Sequence, residues 1–498
     1  MFKSRRAGLL AAACSIGLVA GVGGAHAETL AEAIALAYQT NPTLQGQRAN
    51  QRALDESYVQ ARTGYRPTVS GALGASYSHI KPGSPGQIDT NGDGVPDVTV
   101  GGSTENNTGS ASLTVSQPLY TGGRVSSEVA AAEADVNAGR QNLRSVEQSV
   151  VGSVIQSYVD VRRDQERLRI SQENVAVLQR QLDESNARFE VGEITRTDVA
   201  QSQARLAAAR ANLASSQAQL AVSRAAYAAV VGQNPGDLAA EPSLAQVLPA
   251  TVDQAFDSAE QQNPQILAAD FTEQASRARV AAAKAAHRPT IGLAGTLGYT
   301  GHADPFDADE YDRQIRLSAT ANVPIFTGGL NSSRVRAAVE RNNAARIAIE
   351  TARRQVLQQV SASWNQLLGA RANLVANEEQ VRAARIAFEG VRQENQVGLR
   401  TTLDVLNAEQ ELRNAELALV TARRDEYVAA STVLSASGRL EARAIAADVP
   451  AYDPVVNFRK ASTSVGWVPW EPVVAGVDKI GAPAIGAAPT DAPVATAK

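Results

Sequence analysis

The chain has 498 residues and a formal net charge of −4, and its single cysteine, Cys14, lies in an N-terminal apolar run. That charge balance excludes the basic footprint of a nucleic-acid-binding surface. Loss of the run would leave no thiol for disulfide or metal chemistry.

Residues 1–27 have the pattern of a secretory signal. Lys3, Arg5 and Arg6 precede the apolar stretch, and Ala25-His26-Ala27 fits the small-x-small cleavage rule. A lipoprotein anchor at Cys14 is disfavoured, because Ala11-Ala12-Ala13 lacks the usual leucine and the apolar stretch continues past it. Cleavage takes the net charge to about −7. No later run approaches the ~18 apolar residues of a membrane helix. An exported chain of this kind is either soluble or a β-barrel membrane protein.

Residues 29–63 are Ala-rich, with Leu30, Ile34, Leu36, Leu44, Leu54 and Val59 at helical spacings, and Arg66-Pro67 ends the helix. From 68 to 78 the sequence alternates. Val69, Leu73 and Tyr77 share one parity, and Ser70, Ala72, Gly74 and Ser76 share the other. Residues 79–107, rich in Gly, Pro, Asn and Asp, are expected to form a loop, and 110–117 a second strand. Gly122-Gly123 permits a sharp turn into a long helix over about 124–190, and a second helix over about 196–231 follows. Such a long helix would span on the order of 100 Å. Its stripe of Val146, Val150, Val154, Tyr158 and Val161 keeps one face apolar, as in a coiled coil.

The series then returns. Asn41-Pro42 and Arg66-Pro67 recur 222 positions on, as Asn263-Pro264 and Arg288-Pro289. Pro118-Leu-Tyr-Thr-Gly-Gly123 and Val191-Gly192…Asp198-Val199 recur 206 positions on, as Pro324-Ile-Phe-Thr-Gly-Gly329 and Val397-Gly398…Asp404-Val405. A period this long is not a solenoid unit but a duplicated half-protein. The drop from 222 to 206 assigns the first copy a 16-residue insertion between Pro67 and Pro118. The expected organisation is a first repeat over 28–240 with strands 68–78 and 110–117, and a second over 241–440 with strands 290–300 and 313–323. Gly328-Gly329 stands at the second strand-helix junction. A tail over 441–498 is expected to be partly packed on the helices and partly disordered, the disorder falling over roughly 479–498.

Four strands cannot close a membrane barrel, since small closed barrels need about eight and lipid tolerates no free edge. Four per chain therefore imply oligomerisation, with the apolar parity toward lipid and the Ser/Thr/Gly/Ala parity toward a water-filled lumen. The competing expectation is a soluble coiled-coil structural protein of the periplasm.

In this order and at these spacings the motifs resemble the TolC family of outer-membrane efflux and secretion channels, over about residues 28–440. The resemblance implies a mainly helical homotrimer whose twelve-stranded outer-membrane β-barrel is continued by an α-helical barrel in the periplasm. It implies partners too: a periplasmic adaptor and an inner-membrane transporter, either an ABC exporter of proteins or a proton-driven pump of small molecules. The two Val-Gly…Asp-Val turns become the closed periplasmic mouth. There Thr195-x-x-Asp198 and Thr401-x-x-Asp404 fit capping boxes. By resemblance, Arg400 bonds Thr197 and Asp198 of a neighbouring coil, and three copies of Asp404 form an acidic, cation-binding ring. Two departures weaken this gate: a second acidic position is Asn407, and an expected aromatic latch falls at Asn395. The tail segment Gly466-Trp467-Val-Pro-Trp470-Glu-Pro resembles the protein-secretion branch, and its tryptophans are expected to pack on the outside of the helical barrel.

Within the insertion, Asp89, Asn91 and Asp93 match the first half of a calcium loop, with Asp97 beyond them. Val100 stands where such a loop wants glutamate, so a polar surface turn is the main expectation and weak calcium binding the alternative. No resident cofactor is expected. Nor is an enzyme: His79, His287 and His302 have no metal-ligand spacing, and no phosphate-cradling loop is present.

Overall fold

The computed structural model describes residues 27–81, 83, 86–100, 103–303, 311–446, 449, 452–464, 466 and 468–485. The signal segment 1–26, Trp467 and residues 486–498 lie outside them.

The chain is mainly helical. It begins with α1 (Leu30–Thr40) and α2 (Pro42–Arg62), which divide the helix expected over 29–63 at Asn41-Pro42. Proline at the first position of α2 costs nothing there, because that amide would lack a partner in any case. Asn41 caps α2 by accepting from the Thr43 and Leu44 amides, and its own amide reaches the carbonyl of Val230 at 3.0 Å. Strand β1 (Thr68–Ile80), a short hairpin of β2 (Gly86–Ile88) and β3 (Val98–Val100), and β4 (Thr104–Tyr120) follow. The 67-residue α3 (Arg124–Glu190) turns into α4 (Arg196–Val231).

The second half runs α5 (Val252–Gln262), α6 (Pro264–Ala285), β5 (Thr290–His302), β6 (Tyr311–Asn322), α7 (Leu330–Gln396) and α8 (Thr402–Ala436). Asn263 repeats the role of Asn41, donating to the carbonyl of Ala436 at 2.9 Å and capping α6.

The four long strands form one antiparallel sheet in the order β1-β4-β5-β6. Directly opposed residues share a face, so register decides which side chains lie together. Val69 faces Val115, Gly71 faces Leu113, Leu113 faces Leu297 and Leu297 faces Ile315. One face is thus a continuous apolar band, and its Leu73, Ile315 and Leu317 are exposed. The other face carries Ser, Thr, Ala and Gly, with Thr114 and Thr296 bonded through their hydroxyls at 3.3 Å.

The strands are longer than alternation marked. β1 extends to Ile80, and β4 starts at Thr104 rather than 110. The residues gained (His79, Glu105, Asn106, Asn107) are polar on both parities. They are paired through the backbone ladder, with His79 and Glu105 also meeting at 3.3 Å, and being polar on both parities they carry no period-two signal. The expected loop over 79–107 is correspondingly shorter and holds the β2–β3 hairpin. In the second hairpin β6 covers Tyr311–Asn322, slightly displaced from 313–323.

The main core lies midway along the helices. There α1, the centre of α3, and the ends of α4 and α8 bury Leu30, Ile34, Val154, Ile155, Tyr158, Tyr227, Val231 and Leu434. The Tyr158 hydroxyl, fully enclosed, donates in a position between the carbonyls of Glu28 and Ala239. Burial pushes it up to about 12.

The tail follows α8. It contains α9 (Ala442–Ile445), α10 (Pro454–Ser464) and α11 (Glu471–Asp478). Tertiary contacts rather than propensity stabilise these short helices. Phe458 packs on Tyr58, and Asn457 donates to Asp55 at 2.7 Å. Of the stretch 479–498, for which disorder is expected, residues 479–485 are described and 486–498 lie outside the described residues. Ile480 accepts from the Tyr120 hydroxyl, and Ala482 and Pro483 lie against Gly123.

Candidate functional site

Two places join the elements that the sequence singled out: the strand-to-helix junctions and the α3–α4 and α7–α8 turns.

At the first junction, Gly122 and Gly123 have φ of +70° and +87°, the left-handed region that favours glycine. The chain thereby leaves the sheet and enters α3 at once. The N-terminus of α3 is capped from a distance. Asp478 Oδ1 accepts from the Thr121 amide (2.7 Å), the Thr121 hydroxyl (2.8 Å) and the Gly123 amide (3.2 Å), while its Oδ2 accepts from the Ser126 amide. A carboxylate here is favoured by the unsatisfied amides and the helix dipole. Glu471, at the other end of α11, holds Arg62 at 2.5 Å and Arg66 at 2.9 Å. The second junction has the same backbone, with Gly328 and Gly329 at +60° and +83°. Among the described residues nothing lies within 4 Å of a Cβ placed on either, and Ile325 and Phe326 are 95 % and 88 % exposed.

The turns are built alike. Asp198 accepts from the Thr195 amide and hydroxyl, and Asp404 from the Thr401 amide (3.0 Å) and hydroxyl (2.8 Å). Both are capping boxes, in which the acid satisfies amides at the start of α4 or α8. The Thr401 hydroxyl, then its amide, hold the Asp404 carboxyl below the usual carboxylate range. Thr197 lies exposed in the first turn of α4.

The turns differ in their charges. Within one chain, Arg400 pairs with Glu394 at 2.9 Å, across its own turn, and not with Thr197 or Asp198. Asn395 is buried and donates to the Arg400 carbonyl at 2.7 Å. The side chain standing at the expected latch position therefore tightens the turn itself. Asn407 accepts from Arg205 of α4 at 3.0 Å, tying the two helix pairs together just inside the mouth.

Sequence reasoning missed Glu394, Arg205 and, one turn deeper, Glu409. The Glu409 carboxyl is buried, and its Oε1 has no hydrogen-bond partner. Arg413 stands 3.7 Å away, too far for a hydrogen bond. Burial pushes Glu409 up to about 7 and pushes Arg413 down, so enclosure outweighs attraction for both partners. The available signal was a Glu at the i−4 position from an Arg, but its burial was not readable.

The Asp89–Asp97 loop closes on itself. Asp89 accepts from the amides of Asn91, Gly92 and Gly94, Asn91 donates to Asp93, and Asp97 accepts from Thr90. Among the described residues no group of three or more His, Cys, Asp or Glu side chains is placed to hold a metal. No helix of the described residues is long and apolar enough to cross a membrane.

A sheet with one apolar exposed face, continued by helices of 67 residues, is the architecture of an outer-membrane channel. The solved Campylobacter jejuni CmeC outer membrane channel shares this fold, with a TM-score of 0.69 at 15 % identity over 87 % of this chain and 89 % of that one. The family described as outer membrane efflux protein matches residues 33–233 and 255–439, and the chain belongs to that family, the TolC-like outer-membrane factors. Outer membrane efflux protein BepC of Brucella suis is 34 % identical over 459 residues, 92 % of this chain and 96 % of BepC. Alkaline protease secretion protein AprF of Pseudomonas aeruginosa is 26 % identical over 297 residues, 58 % of this chain and 61 % of AprF. The protein is thus an export channel of the Gram-negative outer membrane that extends into the periplasm. The soluble coiled-coil alternative falls.

Proposed function

We propose that three copies of the chain form a twelve-stranded barrel on a helical tunnel, the exit duct of a tripartite export system. The observation that carries this is the sheet itself: among the described residues its edge strands, β1 and β6, have no partner on their outer sides. In lipid such edges must be paired, and three four-stranded sectors reach a size at which closure leaves a lumen. The Ser/Thr/Gly face then lines the water path. The exposed apolar side chains of the second half, Ile325, Phe326, Ile347 and Ile386 among them, meet neighbouring copies. A periplasmic adaptor docks on the helices, and an inner-membrane transporter supplies energy and chooses cargo.

The cargo we favour is protein delivered by an ABC exporter, the reading supported by the likeness to AprF and by the tail motif around Trp470. Small molecules delivered by a proton-driven pump are the second reading, supported by the likeness to BepC. The duct is closed at the turns, with Asp404 in the constriction and Arg400 free to exchange Glu394 for Thr197 and Asp198 of a neighbouring coil. Asn407, tied to Arg205, leaves the acidic ring with one carboxylate per chain. The Asp89–Asp97 loop is a self-closed surface turn. Calorimetric heat on adding calcium, lost in Asp93→Ala, would overturn that assignment.

The test is conductance in planar bilayers. Divalent cations are expected to block the wild-type channel, and Asp404→Ala to weaken the block. Unchanged block removes Asp404 from the constriction, and a protein recovered as a soluble monomer removes the duct.

A further inference from the structure

The tail helix α11 has two faces. Glu471, Val474 and Asp478 point inward and are buried at the first junction, while Trp470, Val473, Val477 and Ile480 form a neighbouring stripe, about 100° round the helix, that is exposed. The spacings, three and four residues, place each set on one side of a helix. A stripe of one tryptophan and three aliphatic side chains on a helix of eight residues is too short to span a membrane but suited to lie in its surface.

Strand register locates this stripe. Gln117 and Leu119 have the same parity on β4 as Leu113 and Val115 of the apolar band, and Gln117 lies opposite Leu293. Trp470 Nε1 donates to Gln117 Oε1 at 3.0 Å, and Leu119 packs with Tyr65, Val125 and Val474. A register shift between Pro118 and Tyr120 then sets Tyr120 opposite Ile291, which brings its ring to the same face. From there its hydroxyl donates to the Ile480 carbonyl. So α11 sits on the apolar side of the sheet, at the helical end of the strands, and its exposed stripe continues the band.

The opposite end of that face carries Tyr77, Tyr299 and Tyr311. Ile291 and Tyr299 are eight residues apart, about 27 Å along a strand and about 20 Å along the normal of a barrel tilted near 40°, close to the height of an outer-membrane apolar band. Two aromatic groups therefore bracket the band, and Trp470 belongs to the helical, periplasmic one. Tryptophan and tyrosine favour that depth because their rings are apolar and their N–H or O–H stays hydrated.

We infer that α11 is an interfacial anchor whose Trp470, Val473, Val477 and Ile480 stripe rests in the periplasmic leaflet of the outer membrane, clamped to the barrel rim by Asp478 and Glu471. This rests on the reading that the apolar strand face meets lipid, and the test separates the two.

Full-length protein is reconstituted in phosphatidylcholine vesicles with or without bromine on the acyl chains, which quenches tryptophan on contact. Wild type, Trp470→Phe and Trp470→Phe with Leu73→Trp are compared. Brominated lipid is expected to quench a component of wild-type emission that Trp470→Phe lacks, and Leu73→Trp is expected to restore a quenched component. Equal quenching of wild type and Trp470→Phe, with Leu73→Trp quenched, overturns the anchor and leaves the stripe to a neighbouring copy or an adaptor. No quenching at Leu73→Trp overturns the membrane reading beneath it.

Discussion

The two strand-to-helix junctions have the same backbone and opposite surroundings. The first is roofed by the chain's own tail. Asp478 caps α3, a Cβ on Gly122 would stand 2.7 Å from that of Arg288, and one on Gly123 would stand 2.6 Å from that of Ala482. Among the described residues the second has nothing within 4 Å of a Cβ at either glycine, and Ile325 and Phe326 stand in the open. The helices repeat the contrast: the centre of α3 is enclosed by its own chain, whereas α7 exposes Ile347, Leu368, Val375 and Ile386. A duplicated sequence has thus been divided between two jobs. The first half completes the fold of the protomer, and the second presents the surface that the proposed trimer covers.

The largest expected effect comes from dismantling the roof. Glu471→Ala removes the carboxylate shared by half-buried Arg62 and buried Arg66, a loss of up to about 3–5 kcal/mol for a buried pair broken on one side. Thermal melting of the purified protein should fall, and limited proteolysis should cut the tail first. An unchanged melt would make the roof ornamental and dissolve the contrast between junctions.

Next is Glu409, whose equivalent 206 positions earlier is Gln203. Burial raises its pKa from 4.5 to about 7. The folded chain therefore holds a proton that the unfolded chain releases. This contribution is complete below about 4.5 and is lost as pH rises through about 7, up to roughly 3 kcal/mol in all. Glu409→Gln copies the first half and should remove that slope between pH 5 and 7, read by thermal melts across the range. A slope that persists in the variant would place its origin elsewhere.

Gly123→Ala and Gly329→Ala form a matched pair. Both incur the roughly 1–2 kcal/mol of a left-handed non-glycine residue, but only the first also meets its neighbours, adding about 1–3 kcal/mol of overpacking. Melting of the two variants side by side should show the first as the less stable. Equal losses would mean that a neighbouring copy roofs the second junction as closely as the tail roofs the first. The smallest effect on stability is that of Arg400→Ile, which copies Ile194 at an exposed pair. Its melt should not move, while the closed-state conductance of the channel should rise if Arg400 holds neighbouring coils.

The ends of the long helices were legible because glycine punctuates them, at Gly123, Gly192, Gly329 and Gly398. Each of these glycines adopts positive φ, so the local rule and the global fold agree there. The central parts of the strands were legible because one face is apolar and the other small and polar. Their outer ends were not, since Glu105 and Asn106 pair through the backbone and obey no alternation. The tail helices were hidden for a different reason. The segment has little apolar periodicity, and its Pro454 and Pro472 sit in a first helical turn, where proline is tolerated. At the mouth, the capping boxes could be read three residues apart. The Arg205–Asn407 bond joins positions 202 apart in sequence, a distance at which no local pattern carries information.

The placing of the core has a mechanical consequence. Tyr158 and its neighbours are packed near the middle of α3, and the turn at Glu190 lies 32 residues further on. That arm is about 48 Å of helix with no proline to bend it. It acts as a lever with its fulcrum in the core. A rotation of about 5° there, small enough for packed helices to absorb by sliding, carries the far end about 4 Å. For the same rotation a pull at the tip needs less force than one near the fulcrum, over a longer path and with the same work. Asp198, Arg400 and Asp404 stand at the tip, where a given rotation about the core moves side chains furthest.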